Sequence, residues 1–141
     1  MAIEVAQAWV AAAEDDLRAV ASCLYGPEPT ATAAAYHCQQ AAEKLVEAAL
    51  VAVGVHPPKS HDIGALLDRL GSGHPLYARL QPLARLAPYA WLFRYPPAAL
   101  ADKGPVPPEV DEVGRWLDEL RDAAADVSQV FGRGQVKPPR R

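Results

Sequence analysis

Apolar side chains recur every three or four positions along this chain, and nowhere do they alternate over a run long enough for a strand. That spacing lines up one face of an α-helix, so it commits the chain to helices packed on helices. The first segment runs from about Ile3 to Leu24. Val5, Trp9, Ala13, Leu17, Val20 and Leu24 form its stripe, and Gly26, Pro27 and Pro29 then break the chain. The second runs from Thr30 to Gly54, with Ala34, Cys38, Ala42, Leu45 and Ala49 on one face. Gln40, Glu43, Lys44 and Glu47 fall on the opposite face, and His56-Pro57-Pro58 cannot continue the helix.

A third, shorter helix begins after Ser60 or Asp62, either of which can cap it, and ends at Gly71. Ile63, Leu66, Leu67 and Leu70 supply its apolar side. The fourth segment spans about Leu76 to Phe93, with Leu76, Leu80, Leu83, Ala87 and Trp91 on a helical period. Pro82 and Pro88 each lack an amide donor and collide with the preceding turn, so this helix is expected to kink or break. Pro96 to Pro108 holds five prolines and reads as a loop long enough to be mobile or functional. The last helix starts near Pro107 or Pro108. Val113, Leu117, Leu120, Ala124, Val127 and Phe131 alternate spacings of four and three, a seam suited to a bundle core or to a partner helix. Gly132 and Gly134 are expected to stop it, followed by a basic tail ending in Lys137, Arg140 and Arg141.

The expected fold is therefore all-α, an up-and-down antiparallel helical bundle of about five helices with a kinked fourth. Its length of 141 residues suits one domain, read as residues 1–131 with a flexible basic tail over 132–141. Half of the residues are hydrophobic and 22% are charged, a globular balance. The formal charge of −3 gives no overall pull toward nucleic acid or anionic membrane, so any such contact needs a local basic site. No uncharged apolar run reaches the length of a membrane span, and the start of the chain is unlike a secretory signal. A cytoplasmic location with reduced thiols is the expectation.

Cys23 and Cys38 do not form a CxxC pair and read as small core side chains. His37, His56 and His74 lack ligand-like spacing, and no Walker loop, GxGxxG, HExxH or GxSxG occurs, so neither a metal nor a cofactor is expected. Glu14, Asp15 and Asp16 are consecutive, point in different directions, and read as a solvated acidic patch. The Gln40, Glu43, Lys44 and Glu47 stripe has two readings: a solvated outer face, or a cleft wall together with Arg94. Arg94 opens the proline-rich loop. Its guanidinium suits phosphate, and Tyr95 beside it can stack on a base, although a cation also simply suits a helix end. His61, among Lys59, Ser60 and Asp62, serves either the local helix start or a nucleotide.

Four of these stretches, in order, resemble the HEPN family. Trp9, Ala13, Asp16 and Leu17 are similar to its W-x-x-x-A-x-x-D-L opening, and Gln39-Gln40-Ala41-Ala42-Glu43-Lys44 to its Q-Q-A-x-E-K core. Lys59-Ser60-His61-Asp62-Ile63 resembles K-[ST]-H-[DN]-[LI], and Arg94-Tyr95-Pro96 resembles R-Y-P. The resemblance implies a helical bundle that works as a homodimer. It also implies one of two functions: RNA cleavage by members carrying R-x(4–6)-H, or nucleotide binding by members without it. Many stand-alone members pair with a minimal nucleotidyltransferase in a toxin–antitoxin-like two-component system. Here no histidine follows Arg94. The expectation is a non-catalytic nucleotide- or RNA-binding homodimer, with Arg94, Tyr95, Lys44, Gln40, Glu43 and His61 as candidate contacts. The alternatives are a metal-independent ribonuclease toxin using Arg94 with a non-standard histidine, and a structural dimer scaffold whose seam is the last helix.

Overall fold

A computed structural model describes residues 2–60, 62–96 and 106–136, the last five without side-chain detail. Among the described residues six α-helices carry the fold: α1 (Ala2–Tyr25), α2 (Ala31–Ala52), α3 (Ile63–Leu70), α4 (Tyr77–Leu80), α5 (Tyr89–Leu92) and α6 (Val110–Val136). A 3-10 turn, Gln81–Leu86, joins α4 to α5. No strand occurs among the described residues. The three short pieces α4, 3-10 and α5 together make the broken fourth helix, so the chain is the expected helical bundle.

α2 is the axle of the bundle. It packs against α1, α3, α5 and α6 and against the 3-10 turn. No residue from Ala31 to Ala52 is fully exposed. Ala34, Ala35, Ala41, Ala42, Ala48 and Ala49 are all buried, and their small side chains let the neighbouring helices approach closely. The Gln40–Glu47 stripe is consequently not a solvated outer face. Thr30 caps the helix by accepting from the Ala33 amide at 3.4 Å. Gly54 closes it at φ 80°, with Gly54 N–H bonded to the Val51 carbonyl and Val55 N–H to the Leu50 carbonyl. That paired closure needs a left-handed residue, which glycine supplies without a Cβ clash.

α1 contributes Ala6, Val10, Ala13, Leu17, Val20 and Leu24 to the core. The expected stripe is right from Ala13 onward and one residue out before it: Val5 is 48% exposed and Trp9 only partly buried. Ala6 and Val10 continue the four–three alternation of Ala13, Leu17, Val20 and Leu24, which Val5 and Trp9 do not.

The fourth segment shows a register change that turns Trp91 outward. A 3-10 turn has about 3.0 residues per turn, so its core positions recur every third residue. Leu80, Leu83 and Leu86 are buried at that spacing, followed by Ala90. The α-helical period would have placed Ala87 and Trp91 inward. Trp91 is instead 49% exposed. Arg85 ties the turn to α6, its guanidinium nitrogens reaching the Glu119 carboxylate at 2.6 and 3.1 Å. Arg79 reaches Asp126 at 2.8 Å.

In α6 the whole seam of Val113, Leu117, Leu120, Ala124, Val127 and Phe131 is buried within this chain. It is core, and a partner helix has no access to it. The helix starts at Val110 and continues through Gly132 and Gly134 to Val136. Glycine weakens a helix interior by about 1 kcal/mol but does not end one. His61, residues 97–105 of the proline-rich loop and residues 137–141 of the basic tail lie outside the described residues.

Candidate functional site

Two polar clusters and one aromatic surface stand out from the apolar core, and all three are built on α2. The first joins α2 to α1. Asp16 is buried, and its two carboxylate oxygens accept from different partners: His37 Nδ1 at 2.9 Å and Lys44 Nζ at 2.5 Å. A buried carboxylate needs such pairing to offset its lost hydration. Asp16 is therefore not part of a solvated acidic patch. Asp15 is, with its carboxylate bonded to Arg18 on the exposed side.

The second cluster lies within α2. Gln39 is fully buried. Its amide nitrogen donates to Glu43 at 2.7 Å, and its oxygen accepts from Gln40 at 2.7 Å. Glu43 and Glu47 also line a cavity of about 440 Å³ with Trp9, His56, Pro57, Pro58, Lys59 and Ser60. Lys44 and Glu43 thus face different spaces, and neither is among the residues that line a pocket with Arg94.

Arg94 sits in the turn that follows α5, exposed to solvent. Its amide is bonded to the Trp91 carbonyl, which holds the turn against the short helix. Arg94, Trp91 and Ala90 from this segment, with Tyr36 and Gln40 from α2, line a small pocket of about 30 Å³. Around it the rings are already arranged. Tyr36 stacks on Phe93 at 4.8 Å and meets His37 edge-on at 5.3 Å. Trp91 and Tyr95 lie nearly parallel, 6.3 Å apart, and the Arg94 guanidinium stands 5.9 Å from the Tyr95 ring centre. Trp91, Phe93 and Tyr95 are each 40–49% exposed. Trp91 also borders a cleft of about 550 Å³ together with Ser60, Asp62, Ala87 and Pro88.

The family model of the HEPN domain matches residues 6–124, most of the chain and all the segments that build these clusters. The chain belongs to the HEPN-domain family. No curated protein and no solved structure matches it. Within this HEPN fold, the predicted site residues separate into two groups. Gln40, Arg94 and Tyr95 share one surface. Lys44 pairs with Asp16 across α1 and α2, whereas Glu43 accepts from Gln39 within α2 and lines a different cavity. Sequence reasoning missed Tyr36, His37 and Trp91. Tyr36 and His37 carried only their position beside the Q-Q-A-x-E-K stretch as a signal, and Trp91 was assigned inward by a period that the 3-10 turn does not keep.

Cys38 is buried in α2, and desolvation pushes its thiol up to about 12. His74 accepts the Leu76 amide through Nδ1 at 3.0 Å, and burial lowers its pKa. Among the described residues no helix is long and apolar enough to cross a membrane.

Proposed function

We propose that this HEPN-domain protein binds a nucleotide or a short stretch of RNA at the Arg94 surface, acts as a homodimer, and is the partner of a minimal nucleotidyltransferase in a two-component, toxin–antitoxin-like system. One observation carries the binding role: an exposed arginine set among four aromatic rings, with the Gln40 amide lining the same pocket. A guanidinium fork matches phosphate oxygens, and exposed flat rings hold bases by stacking. The net charge of −3 makes a broad electrostatic footprint on nucleic acid unfavourable, which favours a local site engaging one or a few nucleotides. The family resemblance supports the dimer and the nucleotidyltransferase.

Calorimetric titration with nucleoside monophosphates and with a short oligoribonucleotide tests the binding role. Arg94→Ala is expected to weaken affinity about tenfold or more, the cost of losing a charge-assisted contact. Equal affinity for wild type and variant rejects it. Co-purification with a nucleotidyltransferase encoded beside this gene tests the partner.

A second reading, metal-independent RNA cleavage with a histidine outside R-x(4–6)-H, has one observation in its favour. His37 is held through Nδ1 by Asp16, an arrangement that orients an imidazole as a general base. Cleavage that is lost in both Arg94→Ala and His37→Ala would support it, and background-level cleavage by wild type would eliminate it.

A further inference from the structure

The pocket at Arg94, about 30 Å³, is far below the size of a small-molecule site and cannot enclose a base. The cleft that Trp91 shares with Ser60 and Asp62, about 550 Å³, falls in the range of small-molecule sites. Trp91 borders both. Arg94 follows it by three residues, and residues so spaced are neighbours on a helical turn. A ligand with a planar ring and a phosphate therefore has a natural placement, with the ring against the indole and the phosphate at the guanidinium.

Ser60 and Asp62 give the cleft a polar wall. Asp62 accepts the Ala65 amide at 3.2 Å as the cap of α3, and the Ser60 hydroxyl oxygen accepts the Asp62 amide at 3.0 Å. An ionised carboxylate has about four acceptor positions and no donor, so capping leaves most of its capacity free. Such a wall rewards a base edge that donates and penalises one that only accepts. Guanine presents two adjacent donors, N1–H and the exocyclic amine. Adenine offers its amine beside an unprotonated ring nitrogen. Uracil offers a single N–H between two carbonyl oxygens, which the carboxylate repels.

We propose that the Trp91–Asp62 cleft is the base pocket of the Arg94 site and that it selects guanine carrying a phosphate. The proposal rests on the nucleotide-binding role given above. It names a ligand chemistry that either a free guanine nucleotide or a guanine in single-stranded RNA can supply.

Titrations with GMP, AMP, UMP, guanosine and a uridine-rich oligoribonucleotide containing one guanine test it. They are run on wild type, Asp62→Asn, Trp91→Leu and Arg94→Ala. Asparagine caps a helix as well as aspartate does, so Asp62→Asn keeps α3 while replacing one acceptor with a donor. Circular dichroism melting confirms that the variants are folded. Wild type is expected to prefer GMP over UMP about tenfold, and Asp62→Asn to erase that ratio. Trp91→Leu is expected to weaken every base about tenfold. Arg94→Ala is expected to weaken GMP while leaving guanosine little changed. Tight binding of the oligonucleotide without GMP identifies RNA as the source, and the reverse identifies the free nucleotide. If Arg94→Ala removes binding while Asp62→Asn and Trp91→Leu behave as wild type, the base pocket is wrong and the nucleotide role survives. If no probe binds wild type, both are wrong.

Discussion

Asp16 is the residue whose environment departs most from its appearance. In the sequence it is one of three consecutive acids, and in the fold it is the buried acceptor for His37 and Lys44. Asp16→Ala leaves both partners without their acceptor. Lys44 and His37 keep some exposure and can turn toward water, so the expected loss is about 1–3 kcal/mol rather than the full cost of an orphaned buried charge. Urea unfolding with an unchanged m-value measures it, and a loss below about 0.5 kcal/mol, the scatter of surface substitutions, would mean that the pair is incidental. His74 gives the clearest pH dependence. Its folded pKa is lowered, so below the ordinary value of 6.5 the unfolded chain binds the extra proton more readily. Its contribution to stability is fully present above pH 6.5 and declines as pH falls from there toward the lowered folded value. His74→Asn should flatten that part of the pH–stability curve, and an unchanged curve would contradict the assignment. Cys38, buried and with its thiol pushed up to about 12, should resist a thiol reagent until the chain unfolds.

At the scale of elements, legibility followed regularity. The α6 seam alternates four and three without exception, and every predicted member is buried. In α1 the same alternation begins at Ala6, but bulky Val5 and Trp9 outweigh small Ala6 in any reading of apolar residues. The break at Pro82 and Pro88 was readable because proline removes specific hydrogen bonds. Its 3-10 geometry was not readable, and with it went the outward turn of Trp91. The Asp16–His37–Lys44 cluster joins residues 21 and 28 positions apart, and no local pattern announces a pairing between helices. A cleft shared by Arg94 and the whole Gln40, Glu43, Lys44 and Glu47 stripe was one of two open readings, and that Gln40 of the four lines the Arg94 pocket depends on how α5 lies on α2. The register change makes a quantitative prediction. Leu83→Ala removes a fully packed side chain and should cost about 2–5 kcal/mol. Trp91→Ala, despite the larger side chain, should cost less than that because its ring is half exposed. Similar losses at both positions would place Trp91 in the core and overturn the 3-10 spacing.

For the whole molecule, the bundle spends its apolar surface inward and keeps one exposed aromatic stretch among its described residues, Trp91 to Tyr95. The α6 seam cannot double as a dimer interface, because Leu120 is fully buried in this chain. Leu120→Glu should therefore unfold the protein, as read by loss of helical circular dichroism. A folded monomer from that variant would show the seam to be an interface after all. The central claim, that ligand chemistry is concentrated where α5 meets α2, is tested most directly by mapping amide chemical shifts during titration with GMP. Binding at that surface predicts saturable shifts confined to Tyr36, Gln40, Asp62 and Trp91 through Tyr95, which need about tenfold more GMP in Arg94→Ala. Shifts centred on other helices, or none at saturating ligand, would contradict it.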